Sequence, residues 1–479
     1  MRLKRYYYPS RREDVIIKAA QGRMTPEDAN FALMEFQQKD MHGWSSAEPI
    51  VRGNKIEDAT LAGLVQKHAI PYSEFQQMNL YHAQGFFETN VDFTWKNMPL
   101  FPQALSPFFG RVIAELLFSA YVPASWPAPQ EPTFLSLGAG AGYLDYDMID
   151  YYTGDKFSPD NQTQRFYHAV RTGSRFIVSD RTDRAIGLLH EQLDGLVKER
   201  DVSERVDIRK INALDFQLER QPFGIVYSNE LLDNLPIEPI VRDGGKDYQV
   251  YLIPYTEGPK MTEGEYQTKL GERFTLLDNR VLTRDEFESK AVSGRTGDIK
   301  FHPVLVPLGI NPELQANVSS LESFRQNMGN QEVGNIYPYQ IGLGRVLDNI
   351  RKSFDHGVVL FIDYEPSNRG GHNWNQAINT FRNLRFGEED LDFQIDFSQV
   401  VEEARKRGMG CKFLEPQRKV LEQFVKIVGT FGGEEIARWH KANNAKMSSA
   451  ETATNRAAMI YAGVMNLVSG FHKIAILQF

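Results

Sequence analysis

The sequence predicts an α/β fold built on a doubly wound, mostly parallel β-sheet. Three observations indicate this fold. Short apolar runs alternate with helical segments between residues 134 and 230, a glycine-rich turn follows the first run, and acidic residues follow later runs. The length of 479 residues allows about three structural units, or one enlarged α/β domain with additions.

The first 75 residues are predicted to form a helical N-terminal extension. Thr25 is a residue type that caps helices, and Pro26 suits the first helical position. The apolar residues that follow recur at the spacing of one helix face. This segment contains no residue pattern typical of a catalytic or binding site. We therefore expect it to dock onto the sheet or to act as a lid.

The strands of the predicted sheet follow in chain order. The pattern indicates strands at 134–137, 175–180, 205–208, 224–230 and 357–364, with helices from Tyr143 and over 184–197. The C-terminal stretch 459–479 is predicted to form a helix and then a buried strand. Because helices separate the early strands, those strands should run parallel.

About 100 residues of different character separate the fourth and fifth strands. This insertion is predicted to hold a strand at 248–255, at most a short edge strand at 304–306 between two prolines, and loop or short helix over 311–335. We expect it to cap the carboxyl edge of the sheet. The predicted division is therefore 1–75, 76–240, 241–345 and 346–479, where the second and fourth parts form the sheet domain.

Residues suited to a ligand follow successive strand ends. Gly138, Gly140 and Gly142 remove side chains where the backbone must pass close to a ligand, just before a helix N-terminus. Asp180 ends the second strand, where an acid can bind both hydroxyls of a ribose, and Asp215 follows the third, where an acid can reach an adenine amino group. Ligands of such sheets bind at this edge, so the pattern predicts an adenosine-containing ligand.

The glycine spacing narrows the class of adenosine ligand. The third glycine comes one position too early for a dinucleotide fingerprint, which disfavours a nicotinamide oxidoreductase, and no lysine follows as in a phosphate-binding loop. S-adenosylmethionine fits better, since it has no pyrophosphate but still needs acids for its ribose and adenine. It is the predicted cofactor.

Composition excludes several other classes. The formal charge of −8 disfavours binding to nucleic acid, and a single cysteine, Cys411, excludes a disulfide framework or a cysteine-rich metal site. The His, Asp and Glu spacings predict no metal site. We expect no membrane insertion and a cytoplasmic location, with the mitochondrial matrix as the alternative. A homodimer is compatible with the sequence.

From about residue 80 onward the chain resembles the MidA-like methyltransferases, a family that includes a mitochondrial complex I assembly factor that methylates arginine. The most specific likeness is Asn229 to Pro236, which is similar to the family's N-E-x-x-D-A-L-P signature. Other segments resemble family motifs at 80–87, 105–110, 137–144, 362–364, 396–398 and 472–477. The resemblance implies a class I Rossmann-like methyltransferase sheet with the large insertion between its fourth and fifth strands.

The chain departs from the family pattern at several motif positions. Ala139 and Ala141 replace a proline and a basic residue, Asp180 stands where glutamate is usual, and Asn234 and Glu365 replace an alanine and a glycine. Substrate choice depends on loops and additions rather than on the fold. The resemblance therefore implies the cofactor more directly than the substrate.

Three residues in the segment that leaves the fourth strand are the predicted catalytic group. Asn229, Glu230 and Asp233 should lie beside the reactive end of the cofactor, with Asn229 also binding it. Glu230 and Asp233 are expected either to bind a guanidinium as a fork or to act as a base toward a hydroxyl or amine. The alternative is that both are capping residues or a surface pair.

Three further residues are predicted to bind the substrate. His82 lies in the motif at 80–87, and Asp363 and Tyr364 end the fifth strand. Each has a structural alternative. His82 could be a hydrogen-bonded structural histidine, and Asp363 a cap of the adjoining loop. Tyr364 shares the position of Asp363 and has the same structural alternative.

The functional prediction is a methyltransferase that uses S-adenosylmethionine and transfers a methyl group to nitrogen or oxygen. The acceptor is a protein arginine, as the resemblance implies, or a small metabolite. An acidic open groove at Glu230 and Asp233 would favour the guanidinium, and an enclosed apolar pocket under the insertion at 241–345 would favour the metabolite. A hypothesis of another class is a non-catalytic assembly protein that binds the cofactor.

Overall fold

The computed structural model describes most of the chain between residues 67 and 420, together with its end. The described residues are 67–89, 107–121, 131–154, 170–243, 245–257, 279–329, 335–364, 372–373, 385–387, 391, 395–417, 419–420 and 472–479. The helix predicted to begin at Thr25, the predicted C-terminal helix, motif residues 105–106 and Glu365 lie outside these ranges.

The helices and strands fall close to the positions that the sequence predicts. In chain order the strands are β1 Ile70–Pro71, β2 Thr133–Leu137, β3 Arg175–Asp180, β4 Val206–Lys210, β5 Gln221–Asn229, β6 Ile237–Asp243, β7 Lys246–Glu257, β8 Asn279–Val281, β9 Ile299–Pro307, β10 Asn335–Gln340, β11 Phe354–Tyr364, β12 His372–Asn373, β13 Gly410–Pro416 and β14 His472–Gln478. The helices are α1 Tyr72–Tyr81, α2 Phe86–Thr89, α3 Pro107–Tyr121, α4 Tyr143–Thr153, α5 Asp183–Glu199, α6 Arg284–Val292, α7 Pro312–Ser319, α8 Glu322–Gly329, α9 Leu343–Ser353 and α10 Phe397–Lys406.

The larger fold element is a seven-stranded sheet within the described residues, in the order β13-β14-β11-β5-β2-β3-β4. Strands β4, β3, β2, β5 and β11 run parallel, and β14 is antiparallel to both β11 and β13. The chain builds outward from β2 through β3 and β4, and then crosses to β5 on the other side. This reversal places a topological switch point between β2 and β5. The predicted α/β, doubly wound and Rossmann-like sheet is confirmed.

Both faces of this sheet are covered by helices. Successive strand residues point to opposite faces, and in β2 Phe134 joins one hydrophobic cluster while Leu135 joins another. The Phe134 cluster contains apolar residues of α3, α4 and α5, and the Leu135 cluster contains those of α9 and α10. Every residue of β2 is buried, as expected of a central strand covered on both sides.

The residues between β5 and β11 form most of a second, antiparallel sheet. It has the path β1-β7-β6-β10-β12, and β8 and β9 also pair with β7. The part of this sheet that lies between β5 and β11 begins at Ile237. The sheet also includes β1, which precedes the insertion, and β12, which follows it. The domain boundaries at 240/241 and 345/346 remain predictions.

One strand of the second sheet is longer than predicted. The sequence allowed at most a short strand at 304–306, but β9 covers Ile299–Pro307 and pairs with β7 from Tyr248 to Thr256. In the described structure β9 pairs only with β7, so it is an edge strand, where a proline without an N–H is tolerated. The predicted strand at 248–255 and the short helices within 311–335 are confirmed as β7, α7 and α8.

In the described part of the chain, no helix is both long and apolar enough to cross a membrane.

Candidate active site

The turn between β2 and α4 is built by glycine. Gly138, Gly140 and Gly142 have φ angles of +69°, +58° and +76°, which side-chain-bearing residues rarely adopt. A Cβ on Gly142 would lie 2.6 Å from a methyl carbon of Leu189, and one on Gly138 would lie 3.1 Å from a methyl carbon of Leu231. The turn therefore requires glycine for its conformation, and at Gly142 also for its packing.

Asp180 joins this turn to the end of β3. Its Oδ2 accepts a hydrogen bond from the Gly140 N–H at 3.0 Å, and its Oδ1 accepts one from the Thr182 N–H at 3.1 Å. Burial raises the pKa of Asp180 above its usual value. The hydrogen bonds from these backbone N–H groups favour the ionised carboxylate and offset part of this rise. The structure thus brings two elements of the predicted cofactor site together.

The third predicted element is placed differently. Asp215 is exposed, whereas Asn212, the second residue after β4, is half-buried. The Ile211 N–H donates to the Asp180 backbone oxygen at 2.8 Å, so Asn212 lies next to the ribose-type acid. We therefore add Asn212 to Asp215 as a candidate for the adenine contact. An amide directly after a strand end is the sequence signal that would have found it.

The carboxyl end of β5 leaves a hydrogen-bond donor without a partner. The Asn229 side-chain nitrogen is buried and makes no hydrogen bond in the described structure, an arrangement that costs about 1–3 kcal/mol unless a ligand accepts the bond. Glu230 follows with φ +55°, and its N–H donates to the Ile362 oxygen at 2.8 Å. Left-handed backbone at a non-glycine residue is strained, and such strain is concentrated at functional sites.

Asp363 has the contacts of a cap rather than of a substrate-binding residue. Its carboxylate is fully buried and accepts hydrogen bonds from the backbone N–H groups of Leu232 (2.7 Å), Asp233 (3.3 Å) and Tyr364 (2.8 Å). Burial, together with the charge of Glu230, holds its pKa well above the usual value. The substrate contact predicted for Asp363 is therefore not open in this conformation.

Asp233 is also turned into the protein. It is 2% exposed, and its Oδ1 accepts a hydrogen bond from the Asn234 side chain at 3.0 Å. A guanidinium cannot reach this carboxylate from solvent without a rearrangement. The predicted fork of Glu230 and Asp233 is accordingly not presented to a ligand, and the predicted catalytic role rests on Glu230 and Asn229.

His82 ends α1 and borders a cavity of about 540 Å³. The cavity lies where the chain leaves β3 and β4 and is closed on one side by α1. Its lining residues are Ser73, Glu74, Gln77, Met78, Tyr81, His82, Arg181, Leu214, Pro236, Ile341, Gly342 and Arg345. Of the predicted site residues only His82 lines it, while Tyr364 is half-buried at the end of β11.

Arg181 connects α1 to the end of β3. Its Nη1 donates to Gln77 Oε1 at 2.7 Å, and its guanidinium carbon lies 4.0 Å from the centroid of the Tyr81 ring. Burial lowers the pKa of Arg181. Sequence reasoning missed this residue because nothing local indicates that α1 packs beside it.

The described residues fit S-adenosylmethionine. The glycine turn offers open backbone, Asp180 suits a ribose, and the unpartnered Asn229 amide suits a polar acceptor beyond the end of β5. Among the described residues, no group of three or more His, Cys, Asp or Glu side chains is arranged to hold a metal ion.

Comparison with known proteins identifies the family. A family model described as a putative S-adenosyl-L-methionine-dependent methyltransferase matches residues 113–417, more than half of the chain. A sequence search of the curated proteins found no match.

Two solved structures share the fold. A Burkholderia thailandensis protein crystallised with S-adenosylhomocysteine is 14% identical, with a TM-score of 0.52, 88% of this chain covered and 90% of that one. A native crystal structure of a protein of the same superfamily from that organism is 15% identical, with the same TM-score and coverage. Given the match to the family model, the chain belongs to this family of S-adenosylmethionine-dependent methyltransferases.

Proposed function

We propose that the protein transfers the methyl group of S-adenosylmethionine to a nitrogen or oxygen atom of a small molecule that enters the cavity beside α1. The observation that carries this proposal is the junction at the switch point. There Asn229, whose side-chain nitrogen has no partner, ends β5, and the strained Glu230 follows it, near the glycine turn that Asp180 holds. The S-adenosylhomocysteine bound to the Burkholderia thailandensis structure of the same fold supports the identity of the cofactor.

Each residue of the junction has a separate role in the proposed reaction. Bound S-adenosylmethionine supplies an electrophilic methyl group on a sulfonium. Asp180 accepts hydrogen bonds from ribose hydroxyls, and the Asn229 amide donates to a polar group of the cofactor or acceptor. Glu230 accepts the proton that the acceptor nitrogen or oxygen loses when its lone pair forms the new bond to carbon. Holding the acceptor in line with the breaking bond supplies much of the rate enhancement.

The burial of Asp233 favours a small molecule over a protein arginine. A guanidinium acceptor needs an open acidic groove, but the Asp233 carboxylate is buried against Asn234. The cavity volume of about 540 Å³ falls in the range of small-molecule sites, about 300–1,000 Å³. The second candidate function is methylation of a protein arginine. It is favoured by the likeness of residues 229–236 to the MidA-like signature.

The test of the proposed function is methyl transfer from radiolabelled S-adenosylmethionine into a cell lysate, with protein and small-molecule products separated. We expect the label in the small-molecule fraction, and we expect Glu230→Gln to abolish transfer while S-adenosylhomocysteine still binds. The exposed Glu204→Gln is the matched control and should keep full activity. Label in protein alone would favour the second candidate. No transfer to any fraction, with intact cofactor binding, would favour a non-catalytic binding protein.

A further inference from the structure

The charged residues that line the cavity are unevenly paired. Among the described residues that line it, the one carboxylate, Glu74, already forms an ion pair with Arg284 on α6. Its two guanidinium groups, Arg181 and Arg345, form no ion pair with a carboxylate among the described residues. The cavity therefore has an excess of positive charge in a protein whose overall formal charge is −8.

Arg181 is held in place without forming an ion pair in the described structure, although the nearby negative charge of Asp180 acts on it. Its described hydrogen-bond partner is the amide oxygen of Gln77, and its flat face lies on the Tyr81 ring. The carboxylate of the preceding residue, Asp180, accepts hydrogen bonds from Gly140 and Thr182 instead. A half-buried, oriented guanidinium with a neutral partner is well suited to bind an oxyanion, because its planar fork matches carboxylate and phosphate geometry.

Arg345 adds a second cation on the other wall. It lies in the first turn of α9, is exposed, and makes no described side-chain hydrogen bond or ion pair. Gly342, the N-cap of α9, also lines the cavity, and no side chain caps the helix there, so its first N–H groups add a smaller positive contribution. Two arginines, one directly after β3 and one in α9, thus border the same cavity.

We propose that the methyl acceptor is a small molecule bearing a carboxylate or phosphate group, and that Arg181 and Arg345 hold this group in the cavity. This inference rests on the proposed function and names its substrate class. An anion beside two arginines gains charge-assisted hydrogen bonds, whereas a substrate guanidinium there would be repelled. The cavity volume of about 540 Å³ suits a metabolite rather than an acidic segment of a protein.

The test uses the full chain saturated with S-adenosylhomocysteine. Calorimetric titrations with inorganic phosphate and with succinate, at an ionic strength matched with chloride, measure anion binding and distinguish the two possible groups. We expect at least one probe to bind, and we expect Arg345→Ala to weaken that binding by about tenfold or more. Arg181→Lys keeps the charge but loses the fork, and should weaken it less than Arg181→Ala.

Arg351→Ala is the matched control. Arg351 lies in the last turn of the same helix, where its guanidinium carbon is 5.0 Å from the Phe479 ring centroid, and it does not line the cavity. Its substitution should leave anion binding unchanged. Failure of both probes to bind the wild-type protein, an equal loss in Arg351→Ala, or tighter binding of an acidic hexapeptide than of either small anion would overturn the proposal.

Titration of the ligand-free protein with S-adenosylhomocysteine, and with the same anions, separates the two proposals. Saturable binding of S-adenosylhomocysteine without anion binding would remove the inference about the acceptor and leave the methyltransferase intact. Anion binding in a protein that shows no binding of S-adenosylhomocysteine would count against the proposed function and not against the anionic site. Folding of Arg345→Ala is checked by its melting temperature, which should match that of the wild-type protein because the side chain is exposed.

Discussion

At the scale of single residues, Asp180 has the central position in the candidate site. One of its oxygens accepts a hydrogen bond from the glycine turn, and the other accepts one from the residue that caps α5. Its carboxylate therefore shapes the turn, and we propose that it also binds the ribose of the cofactor. Asp215, which the sequence predicts with equal weight, is exposed and makes no comparable contact with the turn.

Asp180→Asn should weaken the binding of S-adenosylhomocysteine by about tenfold to a hundredfold, because hydrogen bonds to a charged group contribute about 1.5–3 kcal/mol. Calorimetric titration measures the dissociation constant. The control is Asp215→Asn, for which we expect little change. Equal losses in the two variants would show that the adenine contact belongs to Asp215 after all, and a loss in neither would remove Asp180 from the cofactor site.

At the scale of elements, the connection from β2 to α4 has little tolerance for substitution. Gly142 is buried beneath α5, and its carbonyl accepts the hydrogen bond of Tyr146 in the first turn of α4. Leu189, which a Cβ at position 142 would meet, is itself fully buried and cannot easily move away. Conformation and packing thus act against any side chain at this position.

Gly142→Ala should lower the free energy of unfolding by about 1–3 kcal/mol, since the left-handed φ and the contact with Leu189 both add cost. Urea unfolding measures this loss. Gly187→Ala is the matched control: Gly187 lies within α5, and an added Cβ would meet nothing within 4 Å. That change should raise stability by about 0.5–1 kcal/mol through helix propensity. A Gly142→Ala variant as stable as the wild-type protein would contradict the packing argument.

At the scale of the whole molecule, α1 joins the two sheets. On one side the Phe75 ring centroid lies 4.4 Å from that of Phe301 in β9, and Ser73 donates a hydrogen bond to Glu238 in β6. On the other side, Gln77 binds Arg181 at the end of β3. Because α1 also closes the cavity, any loosening of its contact with the second sheet should affect the site.

Glu238 makes this contact dependent on pH. Burial raises its pKa from 4.5 to about 7, although Ser73 and Gln249 donate hydrogen bonds to it. Between these two pKa values the folded protein holds a proton that the unfolded chain has lost. The free energy of unfolding contributed by this group therefore falls as pH rises from about 4.5 to 7.

Glu238→Gln, which cannot ionise, should remove that part of the pH dependence. Relative to wild type it should be more stable at pH 8 than at pH 5, by an amount of the order of 2–3 kcal/mol. Urea unfolding at pH 5, 6, 7 and 8 gives both curves. Asp145, with a pKa of about 6, changes stability in the same direction in both proteins and cancels in the difference. Parallel curves would show that Glu238 is not the group responsible.

Much of the first sheet could be predicted from the sequence because its signals are local. The strand at Arg175–Asp180 was predicted with the observed limits, and the others within a few residues, since short apolar runs bounded by turns determine them. The length of β9 could not be predicted. Pro303 and Pro307 are poor strand residues unless the strand lies at the edge of a sheet. Whether β9 lies at an edge depends on its pairing with β7, which begins near Tyr248 and is distant in the sequence.

The sequence by itself determined the parallel sheet, the glycine turn and the acid at the end of β3, because each depends on residue types at short spacing. The tertiary structure decided which acids are available to a ligand. The sequence predicts Asp363 and Asp233 as site residues, but both carboxylates are buried and accept local hydrogen bonds. Arg181 and Arg345, in contrast, border the cavity only because α1 and α9 pack beside the strand ends. Burial and the meeting of distant segments are properties of the folded chain, and no local pattern encodes them.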